Sequence, residues 1–126
     1  DMLGLYAAPG ADESINPLAS VFIADLAFIM NYRDMREANT VGADKYFHCK
    51  ANCQAAKLGP GGVLEASIVS EIREYSDELI KGDPRSACDA DRSANTLGRS
   101  GGRSQPSVSG STTCAPLRPK SLDPRY

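Results

Sequence analysis

One run, PLASVFIADLAFIMNYRDMREAN from Pro17 to Asn39, does most to limit the folds open to this chain. Asn16 and Pro17 form a helix start, an amide that can cap the first free N–H groups followed by a ring already set at helical φ. Leu18, Val21, Phe22, Leu26, Ile29 and Met30 then recur at intervals of three and four, the period of a helix face. The stretch is apolar enough to be the central helix of a core. Asp25 interrupts its best apolar window, Ala19 to Met30, so no segment approaches the ~20 consecutive apolar residues of a membrane span.

Turn signals divide the chain beyond Asn39. A second helix is expected from Ala43 to Lys57, ending at Gly59, with Pro60-Gly61-Gly62 as the turn that closes it. A third runs from Leu64 to Lys81, its apolar stripe formed by Ile68, Ile72, Tyr75, Leu79 and Ile80, and Gly82-Asp83-Pro84 stops it. Ser86 can cap a fourth through Leu97, with Gly98 as terminator. Beyond Arg99 the chain turns to Gly, Ser, Pro and Thr, too polar to offset its own ordering entropy. These signals predict an all-α fold: a small bundle of about four helices over residues 17–99, a linker over 1–16, and a flexible or extended tail over 100–126.

Size and charge narrow the function classes. A chain of 126 residues has room for one domain, and its 41% apolar content without Trp predicts a modest core. A formal charge of −2 supplies no broad cationic field, so nucleic acid is not a favoured partner. The N-terminus lacks the basic start and apolar run of a signal peptide, so if the protein leaves a cell it is expected to travel as part of something larger. Four cysteines, Cys49, Cys53, Cys88 and Cys114, permit two disulfides in an oxidising compartment or buried thiols in a reducing one. Cys49 and Cys53 share a helix face, but their spacing is not a C-x-x-C pair; zinc is the less favoured use, no metal is assigned and the cofactor stays unknown.

Two sets of motifs resemble the Rhs polymorphic toxins. Asp1-Met2-Leu3-Gly4-Leu5 is similar to the D-P-x-G-L ending of an Rhs core, with Met2 in place of Pro. The ordered series DKYFHCKANC, GPGG, REYSD, IKGDP and D-x-x-A-N-x-x-G-R, from Asp44 to Arg99, resembles one type of Rhs toxin tip. The resemblance implies an antibacterial effector carried by a type VI secretion machine and released by a cut between Leu5 and Tyr6. It also implies enclosure in the Rhs core cocoon, neutralisation by a cognate immunity protein, and secretion into a recipient bacterial cell.

Several polar residues then invite a catalytic reading. His48 is the single histidine, the side chain best suited to move protons near neutrality. Glu74 and Asp77 are three apart on the third helix, and Asp91, Asn95 and Arg99 line one stripe of the fourth. If these helices converge, His48, Glu74, Asp77, Asp91, Asn95 and Arg99 form the site of a small hydrolase or transferase. The alternatives are a non-enzymatic toxin that binds a partner or disrupts a membrane through the first helix, and a plain interaction module.

Overall fold

The computed structural model describes the backbone of residues 16–76 and 85–126, and the side chains of 16, 18–70 and 89–126. Its helices are α1 (Pro17–Ala38), α2 (Asp44–Ala56), α3 (Pro60–Ser76), α4 (Arg85–Ser104) and α5 (Gly110–Thr113), followed by a 3-10 turn at Ala115–Leu117. No strand occurs among the described residues, and the all-α bundle is the observed fold.

The middle of the bundle belongs to α2, not to the more apolar α1. Tyr46, Phe47, Cys49, Ala51, Asn52, Cys53, Ala55 and Ala56 of α2 are all buried, and α2 touches α1, α3, α4, α5 and the 3-10 turn. Two apolar clusters lie on its opposite sides. Tyr46, Phe47 and Cys49 meet Cys114 and Leu122, while Ala55 and Leu58 meet Ile23, Ala24 and Ala66.

The ends of α1 follow the sequence closely. The Asn16 side chain accepts from the Leu18 amide at 2.8 Å, and Asn39 closes the helix in the left-handed conformation at φ 44°. Its facing does not follow the expectation of a central core helix. Ser20, Ile23, Ala24 and Asn31 point inward, whereas Leu18, Phe22, Ile29 and Met30 are 78%, 65%, 62% and 54% exposed. Small residues let α1 lie close to its neighbours, which leaves the bulky side chains outside.

Two glycine signals also act differently from their simplest reading. Pro60, Gly61 and Gly62 form the first turn of α3 instead of the turn between two helices, because Pro suits the first helical position and Gly59, at φ 95°, makes the reversal just before it. Gly98 does not end α4, which continues to Ser104. Gly98 and Gly102 face α2, where an added side chain would strike the carbonyls of Cys49 and Cys53.

The segment expected to be a flexible or extended tail is held against the bundle. Cys114 is disulfide-bonded to Cys49, and Leu122 is buried. The Tyr46 hydroxyl donates to the Tyr126 oxygen at 3.0 Å and accepts from Arg118 at 3.0 Å. Tyr126 packs edge-on against Phe47, with ring centroids 5.8 Å apart. Its phenol donates to Glu37, and that bond holds the phenol above its ordinary pKa.

Candidate functional site

Residues of α1, α2, α3 and α4 line a cavity of about 270 Å³. Phe28, Ile29, Tyr32 and Met35 of α1, Phe47 and Ala51 of α2 and Val69 of α3 make its walls apolar. Its polar lining comes from Asn31, His48, Ser70 and Asn95, all buried.

Beside these groups lies Asn52, which sequence reasoning passed over. Its amide nitrogen donates to the His48 carbonyl at 2.8 Å and to the Asn95 side chain at 3.0 Å. Its amide oxygen accepts from Ser70 at 3.1 Å and from Arg99 at 3.0 Å. One fully buried amide thereby joins α2, α3 and α4. The available signal was an Asn in mid-helix, one turn after His48, where a poor helix former needs a reason to stay. Asn52→Ala would leave several buried polar groups without this partner, and a loss of about 2 to 3 kcal/mol in urea unfolding is expected.

The predicted site residues separate into distinct roles. His48 and Asn95 line the cavity together, and Arg99 reaches the same network through Asn52. Asp91 instead pairs with Lys45 at 3.5 Å, near the start of α2. Glu74 lies within α3, but its side chain is outside the described residues, as are Asp77, Leu5 and Tyr6 entirely. Of the cysteines, Cys49 and Cys114 form one disulfide, Cys53 is a buried free thiol, and the Cys88 side chain is outside the described residues. Burial pushes the Cys53 thiol up, while a hydrogen bond with Thr113 and the nearby Lys57 charge pull it down. Among the described residues no cluster of His, Cys, Asp and Glu could hold a metal.

A second candidate surface lies on the outside. Leu18, Phe22 and Ile29 follow one another at helical spacing along α1, and Leu64 and Ile68, 62% and 45% exposed, form a matching pair on α3. The two helices are in contact. No described helix is long and apolar enough to cross a membrane.

Comparison with known proteins changes the functional assignment. The family described as serum amyloid A protein matches residues 21–126. A serum amyloid A protein of Notamacropus eugenii is 45% identical over 95 residues, 75% of this chain and 67% of the relative. One from Equus caballus is 50% identical over 80 residues, 58% and 73% of the two chains. One from Anas platyrhynchos is 49% identical over 71 residues, and the chain spans about half of that relative's length, 56% of each being covered.

These matches overturn the Rhs resemblance, since they cover the whole motif series from Asp44 to Arg99. The antibacterial effector, the toxin hydrolase or transferase and the partner-binding or membrane-disrupting toxin fall with it. So do type VI delivery, the immunity protein and the Rhs cocoon. Secretion stands, without delivery into a bacterial cell. Within that motif series Asn52 ties three helices together and Gly62 and Gly98 make close contacts with backbone, which are packing roles that many families share. A match that runs from α1 through the anchored C-terminal segment accounts for every described helix, and the chain belongs to the serum amyloid A family.

Proposed function

We propose that this secreted protein associates with phospholipid surfaces through the exposed apolar face of α1 and α3. The observation that carries the reading is the outward stripe of Leu18, Phe22 and Ile29, large side chains left in water while small ones fill the interior. Exposed contiguous apolar surface of this kind marks an interaction site. Leu18 to Ile29 spans about 16 Å of helix, and the exposed Arg33 follows one turn later on the same face. A guanidinium at the rim of an apolar stripe suits the phosphates of a headgroup layer, the pattern of a helix lying in the interface plane. The association is superficial and breaches no bilayer.

Flotation with phosphatidylcholine vesicles tests the reading. Phe22→Ser should weaken partitioning roughly tenfold, the order expected from removing one large apolar group from the contact. If the parent protein does not float with vesicles, the reading fails. It also fails if Phe22→Ser alters self-association and leaves partitioning unchanged, because the face would then be occupied by a second copy.

A further inference from the structure

The cavity among α1, α2, α3 and α4 has two polar groups in its lining that the packing of the protein does not use. Asn95 and Asn31 both line it, and they are 3% and 4% exposed. The Asn95 amide oxygen accepts from Asn52 at 3.0 Å, but its amide nitrogen donates to no described residue. Asn31 is the mirror case. Its amide nitrogen donates to the Ala27 carbonyl at 2.8 Å and to Gln54 at 2.7 Å, while its amide oxygen accepts from no described residue. Ser70, a further polar group of the lining, is committed to Asn52 at 3.1 Å. One buried donor and one buried acceptor are thus left over in a chamber whose walls are apolar, where most such groups have partners.

The rest of the lining selects the kind of molecule that fits. Water satisfies a donor and an acceptor but gains nothing from apolar walls, so the partner of this chamber has an apolar body and a polar head. Phe28, Tyr32 and Phe47 bring three aromatic rings to the walls, which suits a flat ring system. Among the described residues no Asp, Glu, Lys or Arg lines the cavity, so an ionised head would lose its water without a counter-charge. A hydroxyl matches instead, because it donates to the Asn31 oxygen and accepts from the Asn95 nitrogen. A cavity of about 150 Å³ holds benzene, so one of about 270 Å³ takes about eleven non-hydrogen atoms, two fused rings and one substituent. Ile29 and Tyr32 line the cavity and are exposed, which places its mouth beside α1.

We propose that this cavity is a binding site for a compact neutral phenol of two rings, held inside a single chain with its hydroxyl between Asn31 and Asn95. The site stands apart from the lipid reading. Leu18 and Phe22 of the outer stripe do not line the cavity, and Ile29 belongs to both. Selectivity comes from the two amides, since a molecule without a hydroxyl leaves both of them unpaired and an anion meets the Asn31 oxygen with like charge.

The experiment is calorimetric titration of the full disulfide-bonded chain, free of lipid and at neutral pH, with 2-naphthol, naphthalene and 2-naphthoate. 2-Naphthol should bind at one site per chain with a Kd on the order of 10 µM, ordinary for a ligand of this size. Naphthalene and 2-naphthoate should bind roughly tenfold more weakly or worse. Ala51→Leu fills the cavity from α2 and Val69→Phe from α3, and each should weaken 2-naphthol by roughly tenfold or more. Helical circular dichroism shows which of the two variants is folded and can be used. Phe22→Ser, on the outer stripe, should bind 2-naphthol as the parent does. Absence of 2-naphthol binding by the parent overturns the proposal, and so does unchanged binding by a folded Ala51→Leu or Val69→Phe chain. Naphthalene that binds as tightly as 2-naphthol removes the role of Asn31 and Asn95 and also overturns it. Loss of binding in Phe22→Ser moves the molecule to the outer face and rejects the cavity, whereas failure of vesicle flotation bears on the lipid reading alone.

Discussion

Reduction of the Cys49–Cys114 disulfide is expected to remove about 4 kcal/mol of stability, the value for closing a loop of this length in the unfolded chain. The two cysteines are separated by 65 residues, a loop that contains α3, α4 and α5. Both half-cystines are fully buried between α2 and the C-terminal segment. For a domain with about 5 to 15 kcal/mol of total stability, such a loss is a large share. Thermal unfolding with and without a reductant should show a drop on the order of 15 °C. Cys114→Ala should reproduce most of it under oxidising conditions. Because Cys53 lies one turn from Cys49, Cys53→Ala is the control that rules out exchange between thiols. Equal unfolding midpoints for oxidised and reduced protein would refute the argument. A secreted protein works where such a bond persists.

Gly98→Ala is expected to destabilise the bundle by about 2 kcal/mol, although alanine is the better helix former by about 1 kcal/mol. The sign is set by the partner. A methyl at Gly98 would strike the Cys49 carbonyl, and one at Gly102 the Cys53 carbonyl. Both obstacles are backbone inside a buried helix and cannot swing aside. Gly101 offers the comparison, since a methyl there meets the Thr113 side chain, which can change rotamer. Gly101→Ala should therefore cost less than Gly98→Ala in urea unfolding. Should Gly98→Ala stabilise the protein as helix propensity alone demands, the close approach of α4 to α2 is wrong.

Much of the local structure was legible in the chain. Asn16-Pro17 opens α1 as read, and the boundaries of α2 fall within a residue of expectation. Legibility failed where a residue has two uses. Gly98 has the features of a helix terminator and of a close-contact residue, and only the presence of α2 against it distinguishes them. The candidate site divides in the same way. The stripe of Asp91, Asn95 and Arg99 follows from helical spacing, but Lys45 and Asn52 as partners do not. His48 and Asn95 come together at one cavity, while the central group of the network, Asn52, gave only a faint local signal.

The C-terminal segment shows the limit most clearly. Its Gly, Ser and Pro content describes a chain that cannot order itself, and that inference is sound for an isolated segment. What orders it lies 65 residues away in the case of Cys114, and further still for Tyr46 and Tyr126. Helix starts, turns and the all-α class arise from interactions within a few residues, so the sequence by itself determined them. Which helix occupies the centre, which face of α1 stays in water and how the last residues are anchored depend on contacts between distant positions. Those were decided only by the tertiary structure, because close packing and pairing energies belong to both partners and neither partner's local sequence contains the other.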